Sequence, residues 1–233
     1  MVEVILLAGG SGTRMGVAAA DKILTPIAGK SAFRRCLEAF RAAGLADRIV
    51  VVTRDTAQEK ALEAEASDLG QVLHCVRGGK ERQNSVCNGL AATTPGSHLV
   101  FIHDCARALI QPESLQLVAA AAARDGAAVL ARPVSDTIKR VPGSIDGLSQ
   151  IPLEDLDRRS LWAMETPQVF RRDWIHHAYK NLTQAVTDDV AVAVAAGHGV
   201  TIVPNPHPNP KLTHPEDLSF CSWLLERNPP PTS

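Results

Sequence analysis

VILLAGGSGTRMG, residues 4–16, sets a short apolar run directly against a cluster of glycines. Val4 to Leu7 has the length and continuity of a strand buried on both faces. Gly9 and Gly10 then end it in a loop with no Cβ atoms to hold a ligand away. Downstream of Ser31 the period changes: Phe33, Cys36, Leu37 and Phe40 fall at i, i+3, i+4 and i+7, which predicts an amphipathic helix stopping near Gly44. RIVVVT (48–53) reads as a second apolar strand, and Ala57, Ala61 and Ala64 are expected to line one face of the next helix. The alternation continues through QVLHCV, a helix after Arg82, HLVFIHD, a helix over Leu115, Val118, Ala119 and Ala122, and AAVLARPV. Helices resume near Asp173 and Thr187, TIVP (201–204) reads as a last strand, and HPEDLSFCSWLLER as a closing helix. Strands alternating with helices imply βαβ crossovers. The expected fold is therefore α/β: a single Rossmann-like, mostly parallel twisted sheet with helices on both faces.

The pattern breaks over residues 136–166, where turn residues and short alternating segments carry no helical stripe. An excursion of roughly 30 residues is unusual inside a compact domain, so this stretch is expected to be a projecting β-arm or an oligomerisation element. The expected organisation is one domain over residues 1–226 and a flexible tail over 227–233, which includes NPPPTS.

Composition narrows the function. Lys and Arg number 24 against 25 Asp and Glu, a formal charge of -1, so there is no broad basic face and nucleic acid is not an expected partner. Five cysteines without a C-x-x-C pair argue against a disulfide framework or structural zinc, and eight histidines lack metal-ligand spacing. No stretch approaches the roughly 18 apolar residues of a membrane span, and MVEVILLAGG does not read as a signal peptide. A soluble, cytoplasmic protein is expected.

Three clusters carry chemistry. LAGGSGTRMG (7–16), followed by Asp21 and Lys22, can aim backbone N–H groups at phosphate oxygens. It is not a Walker A loop, since Leu24 stands where the first glycine before GKS (29–31) should be. It is a poor dinucleotide fingerprint as well, because Met15 replaces the third glycine and the nearest acid, Asp55, comes too late. Its two cations, Arg14 and Lys22, suit a triphosphate whose charge rises during attack. GGKERQNSV (78–86) lies between a strand and a helix, where open α/β sheets bind ligands. HDCAR (103–107) places Asp104 at a strand end with Arg107 just beyond; Cys105 reads as a packed thiol rather than a nucleophile.

Taken in order with SDTIKR, DRRSLW, TPQVF, TDD and NPKLTHPEDL, these blocks span residues 4–218. The set resembles the 2-C-methyl-D-erythritol 4-phosphate cytidylyltransferase family. The resemblance implies a homodimer with exchanging β-arms that joins CTP to methylerythritol phosphate and releases diphosphate. It implies magnesium held mainly by the CTP phosphates, with direct protein ligands unknown. It assigns Ala8, Gly9, Gly10 and Gly12 to the nucleotide's phosphates and part of its base, and Arg14, Lys22 and Lys211 to catalysis. Gly79, Lys80 and Ser85 align with the cytosine-reading segment, supported by Arg82, and Asp104 and Cys105 with the ribose and metal side. Asp104, Arg107, Thr137, Thr166 and Lys211 align with groups that hold the second substrate, and Arg158 with an arm arginine that reaches the partner's site. Departures from the family pattern are Ala108 in place of proline after HDCAR, Ile23 and Leu24 after Lys22, and Pro206, Pro208 and Pro210 ahead of Lys211. Ribitol 5-phosphate cytidylyltransferases share the first block and stand as the alternative, with ribitol phosphate as the polyol phosphate acceptor. A nicotinamide-dependent oxidoreductase is disfavoured by the glycine pattern.

Overall fold

The structure, a computed structural model, describes residues 1–10, 21–143 and 150–227. The expected contacts of Gly12 and Arg14, and the expected tail beyond Arg227, lie outside these residues.

The chain opens with β1 (Val2–Leu7), a small hairpin of β2 (Pro26–Ile27) and β3 (Lys30–Ser31), α1 (Ala32–Ala42) and β4 (Arg48–Thr53). Next come α2 (Thr56–Ala66), β5 (Leu73–Arg77), α3 (Arg82–Ala91), β6 (Leu99–Asp104), α4 (Pro112–Asp125) and β7 (Ala127–Pro133). After the two short strands β8 (Lys139–Arg140) and β9 (Glu154–Asp155), the chain forms β10 (Trp162–Arg171), α5 (Arg172–Lys180), α6 (Asp189–Ala195), β11 (Thr201–Pro204) and α7 (Glu216–Arg227).

Seven strands form one sheet in the order β11-β7-β10-β6-β1-β4-β5. All neighbours run parallel except β10, which is antiparallel to both β6 and β7. The strands are apolar on both faces because both are covered. Val4, Leu6 and Phe101 pack with Phe33, Leu37 and Phe40 of α1 and Leu115 and Val118 of α4. Ile5, Val50 and Ile102 pack on the other side with Val86 and Leu90 of α3, Ile175 and Tyr179 of α5 and Val192 of α6. The helix predicted after Ser31 has that residue as its N-cap, its hydroxyl accepting from the Arg34 N–H, and Gly44 follows its end at φ +68°. The expected Rossmann-like α/β fold is the one the chain adopts. No helix among the described residues is long and apolar enough to cross a membrane.

Two readings change. In α2 the buried side chains are Gln58, Leu62 and Ala66, while Ala57 and Ala64 are exposed. The helix turns a polar amide inward because that amide has partners near the site. The stretch expected to end a β-arm at residue 166 also divides: β8 pairs with β9 outside the main sheet, whereas Trp162–Thr166 already belong to β10. Glu165, Thr166 and Gln168 are buried in β10. Their hydrogen bonds satisfy them, so the strand lacks the apolar signature that would reveal it.

Candidate active site at the carboxyl end of the sheet

From β1 the sheet extends to β4 and β5 on one side and to β6 on the other, so the order reverses between β1 and β6. Ligands of open α/β sheets settle outside the strands' carboxyl ends at such a point. Ala8 and Gly9 lie just past β1, and Asp104 ends β6.

The start of the glycine loop is held on several sides. The Ala8 N–H donates to Val52 O at 2.9 Å. A Cβ on Gly9 would come within 3.2 Å of the Thr53 and Arg54 backbone, so a larger residue there would press on the end of β4. Gln58, only 3 % exposed, donates through Nε2 to Ala8 O at 3.1 Å and also to the Asp21 carboxylate. Its Oε1 accepts the Arg54 N–H at 2.7 Å. One buried amide thus joins the residues on either side of positions 9–20. The apolar periodicity that defines helices cannot reveal it, because it works as a polar group on a buried face. Gly10 is exposed.

The second expected cluster forms the turn into α3. The Gly79 N–H donates to Ser85 Oγ at 3.1 Å, and a Cβ on Gly79 would meet Asn84 Cβ at 2.3 Å. Lys80 is exposed. Arg82 reaches away from the turn: Nη1 and Nη2 bind both oxygens of Asp189 at 3.1 and 2.8 Å, while Nε and Nη2 lie 3.3 Å from Asp104 Oδ1. Asp189 is fully buried and also accepts from the Tyr179 hydroxyl. Neither Asp189 nor Tyr179 was among the expected site residues; TDD (187–189) was a family block without a stated role.

Asp104 is the electrostatic centre. Lys211 Nζ donates to its Oδ2 at 2.6 Å, opposite Arg82. Burial works against the charged carboxylate, but Arg82 and Lys211 outweigh it and hold the group well below the usual carboxylate range. For Arg82, burial favours the neutral form and is overcome by Asp189 and Asp104, which raise its pKa. The Asp104 N–H donates to Thr166 Oγ1 at 3.1 Å, and the same hydroxyl lies 3.1 Å from His103 Nδ1. Thr166 is therefore built into the β6–β10 contact, with its side chain buried.

Cys105 departs from its expected nucleotide contact. It is 0 % exposed, its N–H donates to Leu7 O and its carbonyl accepts from the Cys36 thiol. Cys36 beside it, together with burial, pushes the Cys105 thiol well up, and the side chain packs in the core.

The chain end brings the other lysine. Leu212, next to Lys211, is fully buried, its N–H donating to Ala106 O at 2.8 Å and its carbonyl accepting from Lys22 Nζ at 3.1 Å. Lys22 is thus tied to the residue that follows Lys211, which is itself 189 positions away in sequence, and Lys211 binds Asp104 at the end of β6. Arg107 joins them, donating to Asn209 O at 2.6 Å and lying 3.4 Å from Met164 O, and burial lowers its pKa. Arg107, Arg132, Glu165, Asn209, Lys211 and Phe220 are among the residues lining a cleft of about 540 Å³. A separate cavity of about 500 Å³ between α1 and the Ala108–Glu113 segment has a mainly apolar lining and contains none of the expected site residues.

Two expected residues are not brought in. Thr137 and Arg158 are exposed, and Arg158 donates to Ser135 O at 2.7 Å. Among the described residues, no hydrogen bond or ion pair joins either to Asp104, Arg107 or Lys211.

A glycine-bearing turn after the first strand of an α/β sheet, at its switch point, beside a buried carboxylate held by Arg82 and Lys211, fits the class of α/β nucleotidyltransferases. Comparison with known proteins gives the same class and narrows it. The family described as IspD, 2-C-methyl-D-erythritol 4-phosphate cytidylyltransferase, matches residues 2–227. A curated 2-C-methyl-D-erythritol 4-phosphate cytidylyltransferase of Pelotomaculum thermopropionicum is 36% identical over 230 residues, covering 97% of this chain and 94% of the relative. The bifunctional enzyme IspD/IspF of Anaeromyxobacter dehalogenans is 41% identical over 227 residues, and the chain spans only 56% of its length. The crystal structure of the 4-diphosphocytidyl-2C-methyl-D-erythritol synthase of Anaerococcus prevotii superposes with a TM-score of 0.83 at 23% identity, covering 97% of this chain and 99% of that one, which extends the likeness in fold. This chain belongs to the 2-C-methyl-D-erythritol 4-phosphate cytidylyltransferase family.

Proposed function

We propose that this chain transfers CMP from CTP to 2-C-methyl-D-erythritol 4-phosphate, forming 4-diphosphocytidyl-2-C-methyl-D-erythritol and diphosphate. The observation that carries the reading is that the segment bearing Lys211, which binds Asp104, also receives Lys22 on the carbonyl of Leu212, so a lysine that follows the glycine loop and one near the chain end stand on one joined piece of backbone. Family membership supplies the substrates.

The attacking oxygen belongs to a phosphate monoester whose second pKa is near ~6, so it is largely ionised at pH 7 and needs no general base. The task is to align it with the α-phosphorus and to stabilise the charge that builds there. In this reading Ala8, Gly9, Gly10 and Gly12 cradle the triphosphate, and Arg14 and Lys22 face the α-phosphate. Gly79, Lys80 and Ser85 border the cytosine, on a turn whose helix is anchored through Arg82. Lys211 spends one of its three donors on Asp104 and turns the others, with Arg107, toward the acceptor.

Magnesium fits the donor set in one way only. Asp104 is the carboxylate at the switch point and is already engaged by Arg82 and Lys211. The chain can therefore offer about one oxygen, and the CTP phosphates and water hold most of the ion, as suits a cation that dehydrates reluctantly. When bound, magnesium neutralises phosphate charge. Arg158 and Thr137 enter through a homodimer, the arm of one protomer completing its partner's site. The five cysteines are unpaired thiols, in keeping with a cytoplasmic enzyme.

Diphosphate release from CTP, measured side by side with methylerythritol phosphate and ribitol 5-phosphate, tests the assignment. Faster turnover of methylerythritol phosphate is expected, and faster turnover of ribitol phosphate would replace it with the alternative acceptor. Sedimentation at working concentration should show a dimer; a monomer that is fully active would remove the role given to Arg158.

A further inference from the structure

We propose that Glu165 is a positioning residue that sets where Arg107 and Lys211 stand, by anchoring the proline-rich segment that carries the lysine. The proposal rests on the reading of Arg107 and Lys211 as acceptor-directed cations.

The segment from Asn205 to Thr213 has no regular secondary structure and cannot acquire it by pairing. Pro206, Pro208 and Pro210 have no N–H, so a strand ladder is closed to every second residue. The Asn205 N–H still donates to Ala131 O at 2.9 Å; beyond it the segment is held mainly by side chains. Asn205 donates through Nδ2 to Glu165 Oε2 at 2.8 Å, His207 Nε2 lies 2.8 Å from Glu113, and Lys211 binds Asp104. Asn209 donates through Nδ2 to the same Glu165 oxygen at 3.2 Å and to Thr166 O at 3.0 Å.

Glu165 is the point these anchors share. It is 3 % exposed, on β10 where the pairing with β7 shifts register between Met164 and Gln168. Its second oxygen faces Arg132 Nε at 3.6 Å, from a side chain that is 62 % exposed and so a weak counter-charge. A buried carboxylate is costly in a place where an apolar side chain would fill the volume. Here it binds two amides of one segment whose backbone pairing with β7 stops at Asn205. The consequence reaches the chemistry in one step, because the Asn209 carbonyl accepts from Arg107 at 2.6 Å, and Lys211 is two residues further on. Arg107 Nε and Asn209 Oδ1 are both buried with no partner among the described residues, so this pair's hydrogen-bonding capacity is not used up within the chain. Glu165 touches no reacting atom; it acts through Asn205 and Asn209.

The test compares full-length Glu165→Leu, which keeps the volume and removes both acceptors, with Glu165→Gln, which keeps a carbonyl oxygen. Hydrogen exchange at the Leu212 amide, bonded to Ala106 O, reports the segment directly and needs no substrate. In Glu165→Leu that exchange should accelerate about tenfold, and in Glu165→Gln by less than about threefold. The KM for methylerythritol phosphate should rise about tenfold in Glu165→Leu with the KM for CTP within about threefold, and Glu165→Gln should restore most of it. In a Lys211→Ala, Arg107→Ala background the further effect of Glu165→Leu on the acceptor should vanish. Unchanged exchange at Leu212 overturns the proposal, as does a parallel loss of both KM values and kcat. If Glu165→Leu does not fold, Asn209→Ala in the same exchange measurement decides. Should the native enzyme not turn over methylerythritol phosphate, the proposed function fails while the exchange comparison still tests Glu165.

Discussion

The two lysines of the site arrive on segments of opposite backbone chemistry. Lys22 follows a glycine-rich loop, Lys211 a segment with proline at every second position, and the two meet where Lys22 donates to the carbonyl of Leu212. Glycine leaves backbone N–H groups free to face an anion but gives the chain no preferred shape, so a buried clamp, Gln58, joins its two sides. Proline supplies shape and removes N–H groups, so Asn205, His207 and Asn209 must supply side-chain anchors instead. One segment can present amides to phosphate; the other can only present a side chain. That difference suits a loop wrapped on a triphosphate and a strap that delivers one ammonium group.

Breaking the strap's end should have the larger effect. Lys211→Ala is expected to lower kcat/KM for methylerythritol phosphate by about a thousandfold, with a much smaller change in CTP binding, in steady-state kinetics with each substrate varied. If CTP affinity falls as far, the lysine serves the nucleotide and the division between the two segments is lost. Removing the clamp on the other side comes next. Gln58→Leu keeps the helix but frees Ala8 and Asp21, and kcat should fall about thirtyfold through misplacement of the loop and Lys22. A kcat within about threefold of the native value would show that the clamp does not place the loop.

Smaller effects sharpen the contrast. Gly79→Ala would place a Cβ 2.3 Å from Asn84 Cβ, so the turn must shift. Calorimetry should show CTP affinity reduced about tenfold with acceptor binding unaffected. Asp104 joins the two halves and titrates in a set direction. Its carboxyl is held below the unfolded value of ~3.9 and binds fewer protons when folded, so its contribution to stability is present above that pH and is lost as pH falls toward the depressed folded value. Urea denaturation of Asp104→Asn should accordingly show a weaker decline below about pH 4 than the native chain; an identical decline would mean that Arg82 and Lys211 do not stabilise the charge.

Much of this was legible in the residues. RIVVVT is the strand β4 at the predicted limits, and the stripe from Phe33 to Phe40 is the buried face of α1. These elements announce themselves because apolar burial leaves a period. Of the candidate site, the motifs at element ends marked Asp104, Arg107 and Lys211, which the structure brings together around the end of β6 and one cleft. What stayed hidden is polar and buried. β10 buries Glu165 and Gln168, Gln58 occupies the core side of α2, and Asp189 is sealed beneath Arg82. Each is tolerated because its partners come from distant parts of the chain, and no local pattern encodes such a partner. Cys105, which the residues of HDCAR mark as a packed thiol, has its side chain in the core, away from the ribose and metal side that the resemblance alone implies.

The central claim is that cations on two unlike segments act on one phosphoryl transfer, with Lys22 on the side of the reacting phosphorus. Single-turnover release of diphosphate from CTP and methylerythritol phosphate by Lys22→Ala, alongside its CTP dissociation constant, tests this most directly. The account predicts a rate lower by about a thousandfold with CTP affinity within about threefold of the native enzyme. Equal losses in rate and affinity would make Lys22 an ordinary nucleotide ligand and contradict it.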